Sequence, residues 1–124
     1  MQPFTFFLKS FRRGLALLYL HAVVLMLCCS SSWAITGFNN VQVDMVRPGG
    51  DRPCTLFTLV GVSQSDPVVP GSNWFAIPQS APAYKEMVAT LLLAKATGRL
   101  VDVATTGLVP SECSQPGVGV LALH

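Results

Sequence analysis

Between Tyr84 and Thr105 the sequence YKEMVATLLLAKATGRLVDVAT changes its hydrophobic period, and this change limits the fold more than any other feature of the chain. Tyr84, Met87, Val88, Leu91 and Leu92 recur at helical spacing and form one apolar stripe. Ala94 and Ala96 extend the helix with small residues that let it approach a sheet closely. Lys85, Glu86, Thr90 and Lys95 supply its polar positions. Leu93 lies off the main stripe, so it either widens the buried face or touches a neighbouring subunit. Ser80 is placed to cap the helix, with Pro82 tolerated in the first turn. Gly98 suits the left-handed residue after a helix end, and Lys95 suits the last turn. From Leu100 to Thr105 the period becomes two, which is a strand. The helix therefore covers about 83–97 and delivers the chain to a sheet.

The rest of residues 35–124 reads as strands and loops. Val41, Val43 and Met45 alternate with Gln42 and Asp44, as on a half-buried strand. RPGGDRP, residues 47–53, makes a turn, and Cys54 to Val62 is rich in β-formers, so the two runs predict a hairpin with a loose loop. SQSDPVVPGSN, residues 63–73, is a long polar loop. Trp74 to Ile77 is a short extended segment ended by Pro78, TTGLVPSECSQPG is a second long loop, and Gly117 to Leu123 is the closing strand. Phe38 and Asn39 are either frayed or part of an edge strand. The order β-β-β-α-β-β predicts an α+β fold: a small curved sheet or barrel with one helix packed on it. The connection through the helix is long enough for either parallel or antiparallel placement of the strands it joins. A doubly wound α/β fold needs repeated βαβ units, and a single helix does not supply them.

Residues 1–34 read as a targeting segment. Lys9, Arg12 and Arg13 precede an apolar run from Leu15 to Cys29 broken only by His21. Ser32-Trp33-Ala34 then offers small residues at the two positions that a signal peptidase reads. The run of about fifteen residues is short of the roughly 20 that span a bilayer, so cleavage after Ala34 is expected rather than an uncleaved anchor or stable membrane insertion. Cys28 and Cys29 raise the question of lipidation, but Leu27 and Cys28 precede them where a small residue is usual. Residues 35–124 are expected to form one domain, secreted or periplasmic.

Removal of the leader reverses the charge. Arg47, Arg52, Lys85, Lys95 and Arg99 face Asp44, Asp51, Asp66, Glu86, Asp102 and Glu112, five against six, a net −1 where the whole chain carries +2. No basic tract remains, which argues against nucleic-acid binding. Cys54 and Cys113 also remain, and an exported chain with two cysteines reads as one disulfide, the alternative being two separate buried thiols. Such a bridge contributes roughly 3 to 4.5 kcal/mol through the unfolded state, as a structural staple. A redox pair more often sits as CxxC.

Catalytic chemistry has little to stand on. His124, the last residue, is the single histidine of residues 35–124 and is expected to fray, so no Ser-His-Asp or Cys-His site is expected. Asp44 and Asp102 each sit on a predicted strand; a carboxylate pair is geometrically open to them, but solvent-facing strand positions are the expected reading. Met45 and Met87 read as core, VRPGGD reads as a turn, and no metal or cofactor is expected. Binding is the stronger expectation. Trp74 and Phe75, with Ser72 and Asn73 beside them and Tyr84 nearby, can stack on a sugar or dock an exported protein, although Trp74 serves equally well as core.

The cysteine-bearing second strand, the short Trp74 segment and LLLAKATGRLVDV together resemble the B subunits of bacterial AB5 toxins, particularly the subtilase cytotoxin B-subunit type. The matching residues are Cys54, Trp74, Leu91, Leu92, Ala94, Thr97, Gly98, Val101, Val103 and Cys113. The resemblance implies an OB-like domain with glycan sites on its outer surface. It also implies a homo-oligomer, a pentamer whose helices line a central pore, with Leu92 and Leu93 at helix or subunit contacts. The early serine-bearing motif of that family has no clear match here, so its glycan-contacting residues are not carried over. A structural or accessory subunit of a secreted oligomer is the alternative function.

Overall fold

The computed structural model describes residues 35–50 and 52–124. The expected leader, its cleavage site and the candidate lipidation cysteines lie outside the described residues. The described residues belong to the compact unit Trp33–His124.

Five strands and one helix follow in the order β1 (Gly37–Pro48), β2 (Cys54–Leu59), β3 (Phe75–Pro78), α1 (Tyr84–Thr97), β4 (Leu100–Thr105) and β5 (Val118–Leu123). The strands form one sheet in the order β3-β2-β1-β4-β5, every ladder antiparallel. Its two edges meet where Ala76 of β3 bridges Gly117 in parallel, with the Ala76 N–H donating to the Pro116 carbonyl at 2.8 Å. The sheet is thus curled towards a barrel, and the small OB-like α+β architecture is the fold. β3 and β4, the strands joined through the helix, are not neighbours, so the helix carries the chain from one side of the sheet to the other.

β1 makes the curvature. Its first half pairs with β4 and its second half with β2, and the register shifts between Phe38 and Val41 and again between Val43 and Met45. Asn40 takes φ 53°, a left-handed conformation that asparagine tolerates, at the first irregularity. Phe38 and Asn39 therefore belong to the strand. The second irregularity corrects the expected alternation: Val43 is buried, but Met45 is turned out and 51% exposed. An extra residue moves later side chains to the opposite face, and Val46 packs against the core in place of Met45.

The core lies inside the curl. Val43, Phe57, Leu59, Phe75, Ile77, Val101, Val103 and Val118 come from all five strands, and Met87, Leu91 and Ala94 come from the helix. Phe75 stacks on Phe57 with ring centres 5.2 Å apart and meets Phe38 edge-on at 5.5 Å. A second, smaller apolar cluster of Cys54, Ala76 and Cys113, with Leu56 against it, lies on the other face of β2 and β3.

α1 packs on β1, β5 and β3. Gly98 ends it in the left-handed conformation, φ 70° and ψ 13°. Its beginning differs from expectation. Ala83 occupies the cap position without a side-chain hydrogen bond, Pro82 precedes the helix, and the Ser80 hydroxyl is turned to the Glu112 carboxylate instead. The Tyr84 hydroxyl is bonded to Thr55 at 2.9 Å, which fixes the first turn over β2. Lys95 sits in the last turn, yet its ammonium donates to the Asp44 carbonyl rather than to the helix end. The buried stripe is Met87, Leu91 and Ala94; Leu92, assigned to that stripe from its spacing, is 51% exposed and joins Leu93, 49% exposed, on the outside.

Candidate functional site

Two polar loops, 60–74 and 106–117, are fastened to each other and to the barrel. The first is organised from within. Ser65, fully buried, donates both its N–H, at 2.7 Å, and its hydroxyl, at 3.0 Å, to the Ser72 carbonyl. Asp66, also buried, accepts from the Val68 N–H at 2.9 Å and from the Thr105 hydroxyl at the end of β4. The Thr105 oxygen in turn accepts the Thr36 N–H at 3.0 Å. Each carboxylate oxygen of Asp66 thus has a neutral donor, as a buried carboxylate requires. The dipeptide Asp66-Pro67 carries the local signal for such a turn, because an aspartate side chain readily accepts an N–H two residues on. Nothing in the sequence pairs it with Thr105, which is 39 residues away.

The second loop is held at several points. Cys113 is bonded to Cys54 of β2, with Cα atoms 6.0 Å apart, so the expected disulfide is present. The Thr106 N–H donates to the Gly117 carbonyl and the Gly117 N–H to the Leu108 carbonyl, each at 2.8 Å, closing the base of the loop. Gln115 accepts the Ser72 hydroxyl, which joins the two loops directly. Glu112 takes the Ser80 hydroxyl, and that hydrogen bond holds its carboxyl below the ordinary value. The result is one loop surface beside the β3–β5 seam.

The expected binding residues divide on this surface. Trp74 is half-buried, its N–H held by the Ser72 hydroxyl at 3.3 Å, and its ring is outside the buried core cluster. Asn73 is exposed and Ser72 is half-buried between the loops. Phe75 has a different place: it is fully buried between Phe57 and Phe38 and offers a ligand no surface. Strand alternation is the reason, since consecutive residues at the start of β3 point to opposite faces. Tyr84 packs at the helix start and Thr55, away from solvent on its inner side. Leu92 and Leu93 lie on the outer helix surface with exposed Ala89 and Ala96.

Asp44 and Asp102 have separate partners. Asp44 accepts the Thr58 hydroxyl at 3.3 Å. Asp102 accepts the Asn40 N–H at 2.8 Å and lies 2.6 Å from His124 Nε2; these bonds, the backbone one first, hold its carboxyl below the usual range. His124 is not frayed: its N–H donates to the Leu100 carbonyl at 2.9 Å, and Arg99 reaches its carbonyl. Among the described residues no group of three or more His, Cys, Asp or Glu could hold a metal ion, and no helix is long and apolar enough to cross a membrane.

Two depressions adjoin the loops. One, of about 400 Å³, runs between the helix start and the second loop and is lined by residues such as Pro78, Pro82, Met87, Pro110 and Val118. The other, of about 160 Å³, lies beside the disulfide, between the β1–β2 turn and Ser114. No protein-family model matches the chain, and no curated protein matches it.

Proposed function

We propose that the protein is an exported, non-catalytic binding domain that recognises a glycan or another exported protein through the loop surface around Trp74. The observation that carries the reading is the fastening of two polar loops into one surface next to the partly buried Trp74. Such a surface presents a flat aromatic face with hydroxyl and amide groups beside it and loses little conformational entropy on binding. The disulfide supports residence in an oxidising compartment, secreted or periplasmic. The net −1 of residues 35–124 and the engagement of both strand aspartates with neighbouring groups favour binding over nucleic-acid contact or carboxylate catalysis. A glycan array, backed by affinity capture of exported proteins, tests this. Wild type gives a saturable hit, and Trp74→Ala removes it while circular dichroism stays unchanged. Loss of binding together with loss of fold makes Trp74 a packing residue instead.

A second reading is a structural subunit of a secreted homo-oligomer, a pentamer if the toxin B-subunit resemblance holds. The exposed pair Leu92 and Leu93 favours it, because α1 is apolar on the face away from the barrel as well as on the face towards it. Light scattering coupled to gel filtration separates the two: Leu92→Asp with Leu93→Asp converts an oligomer to monomer and leaves a monomer unchanged.

A further inference from the structure

The smaller depression has a chemistry that the loop surface around Trp74 lacks. Arg47 at the end of β1 and Arg52 in the following turn line it, together with Gly49, Gly50 and Ser114. Leu56, Cys54 and Cys113 add an apolar wall. Two of the five cationic side chains of residues 35–124 thus meet at one small concavity in a domain that is acidic as a whole. Among the described residues neither guanidinium is hydrogen-bonded or ion-paired.

Two points of the described backbone around it are fixed. Gly49 donates to the Cys54 carbonyl at 2.8 Å, and a Cβ on Gly49 would stand 2.2 Å from that same oxygen. The turn therefore closes only with glycine there, and the disulfide fixes Cys113, and with it Ser114, against β2. An engineered cavity of about 150 Å³ takes a benzene ring. A space of about 160 Å³ accordingly takes a ring-sized body, not a bare ion alone.

We propose that this depression is a binding site for a carboxylate carried on a small apolar body. The carboxylate meets Arg47 and Arg52, whose planar forks match its two oxygens, and the Ser114 hydroxyl completes the set. The carbon skeleton lies against Leu56 and the disulfide. The site is separate from Trp74, so the failure of one leaves the other standing.

Benzoate is the probe, with benzamide as its neutral isostere and acetate as its headgroup alone, followed by chemical-shift titration of the isotopically labelled protein. Saturable benzoate shifts centred on Gly49, Gly50 and Ser114 are expected, with benzamide and acetate each weaker by at least about ten-fold. Arg47→Gln and Arg52→Gln, both at exposed positions, each weaken benzoate by a similar factor while the rest of the spectrum is retained. Benzamide binding as well as benzoate overturns the proposal, as does binding that survives both arginine substitutions. Asp51, between the two arginines in sequence, lies outside the described residues and supplies the last arm. If the wild type is silent and only Asp51→Asn binds benzoate, the arginines are claimed by their own turn and the site is not a receptor.

Discussion

Asp66 shows how one side chain can hold a loop that sequence marks only as polar. Its two hydrogen bonds, to the Val68 N–H and the Thr105 hydroxyl, tie loop 60–74 to the end of β4. Asp66→Ala takes away the acceptor of the Val68 N–H and leaves the buried Thr105 hydroxyl only its longer contact, 3.4 Å, to the Thr36 carbonyl, and each such loss costs up to about 1–3 kcal/mol. Urea unfolding should record a loss of about 2–4 kcal/mol with an unchanged slope. Asp102 makes a different prediction. Its folded carboxyl is held below 3.8, the ordinary value. A carboxylate depressed on folding contributes stability above its unfolded value and loses it as pH falls through the folded value. Stability should therefore decline below about pH 4, and Asp102→Asn should flatten that acid limb in urea midpoints taken from neutral pH downward.

At the scale of elements, the strands and helix were legible because their side-chain periods are short-range consequences of burial. The β4 limits, the left-handed Gly98 and the hairpin over residues 47–53 all follow from local chemistry. What escaped were the irregularities. Met45 has the right type and spacing for core and is exposed, because the bulge after Val43 changes the face without a glycine or proline to announce it. Leu92 belongs to the right stripe by count but lies about 100° round from Leu91, which takes the buried position. The helix limits were legible but the cap was not, because Ser80, a good capping residue, has Glu112 as a competing partner 32 residues away. Leu91→Ala removes a fully buried side chain and should cost about 2–5 kcal/mol, whereas Leu92→Ala in a monomer should stay within about 0.5 kcal/mol. A large cost at Leu92, measured by thermal or urea unfolding, would show that its outer surface is covered in an assembly.

For the whole molecule, the disulfide does two things at once. It links residues 59 apart in sequence, which in the chain-entropy model is worth about 4 kcal/mol through the unfolded state. It also pins the second loop over the Cys54–Ala76 cluster, beside the seam where the sheet edges meet. Cys54→Ala with Cys113→Ala should therefore lower stability by about 2–5 kcal/mol, and hydrogen exchange should quicken first in residues 106–117. The bridge was readable from cysteine count and the expected export. The candidate surface was only half readable: Trp74, Asn73 and Ser72 come together as their sequence proximity suggests, while Gln115, Ser65 and Asp66 depend on contacts across the fold. Phe75 was lost to the core because it opens the four-residue strand β3 on its inward side, while its neighbour Trp74 belongs to the loop before it.

The binding account rests on the partly buried Trp74, and with Trp33 in the expected leader it is the sole tryptophan of residues 35–124. Tryptophan emission of the protein without residues 1–34, titrated with the strongest hit from the array, tests that residue directly. A saturable shift or quench with the same midpoint as binding is the predicted result. Binding to saturation with the emission unchanged would contradict the account.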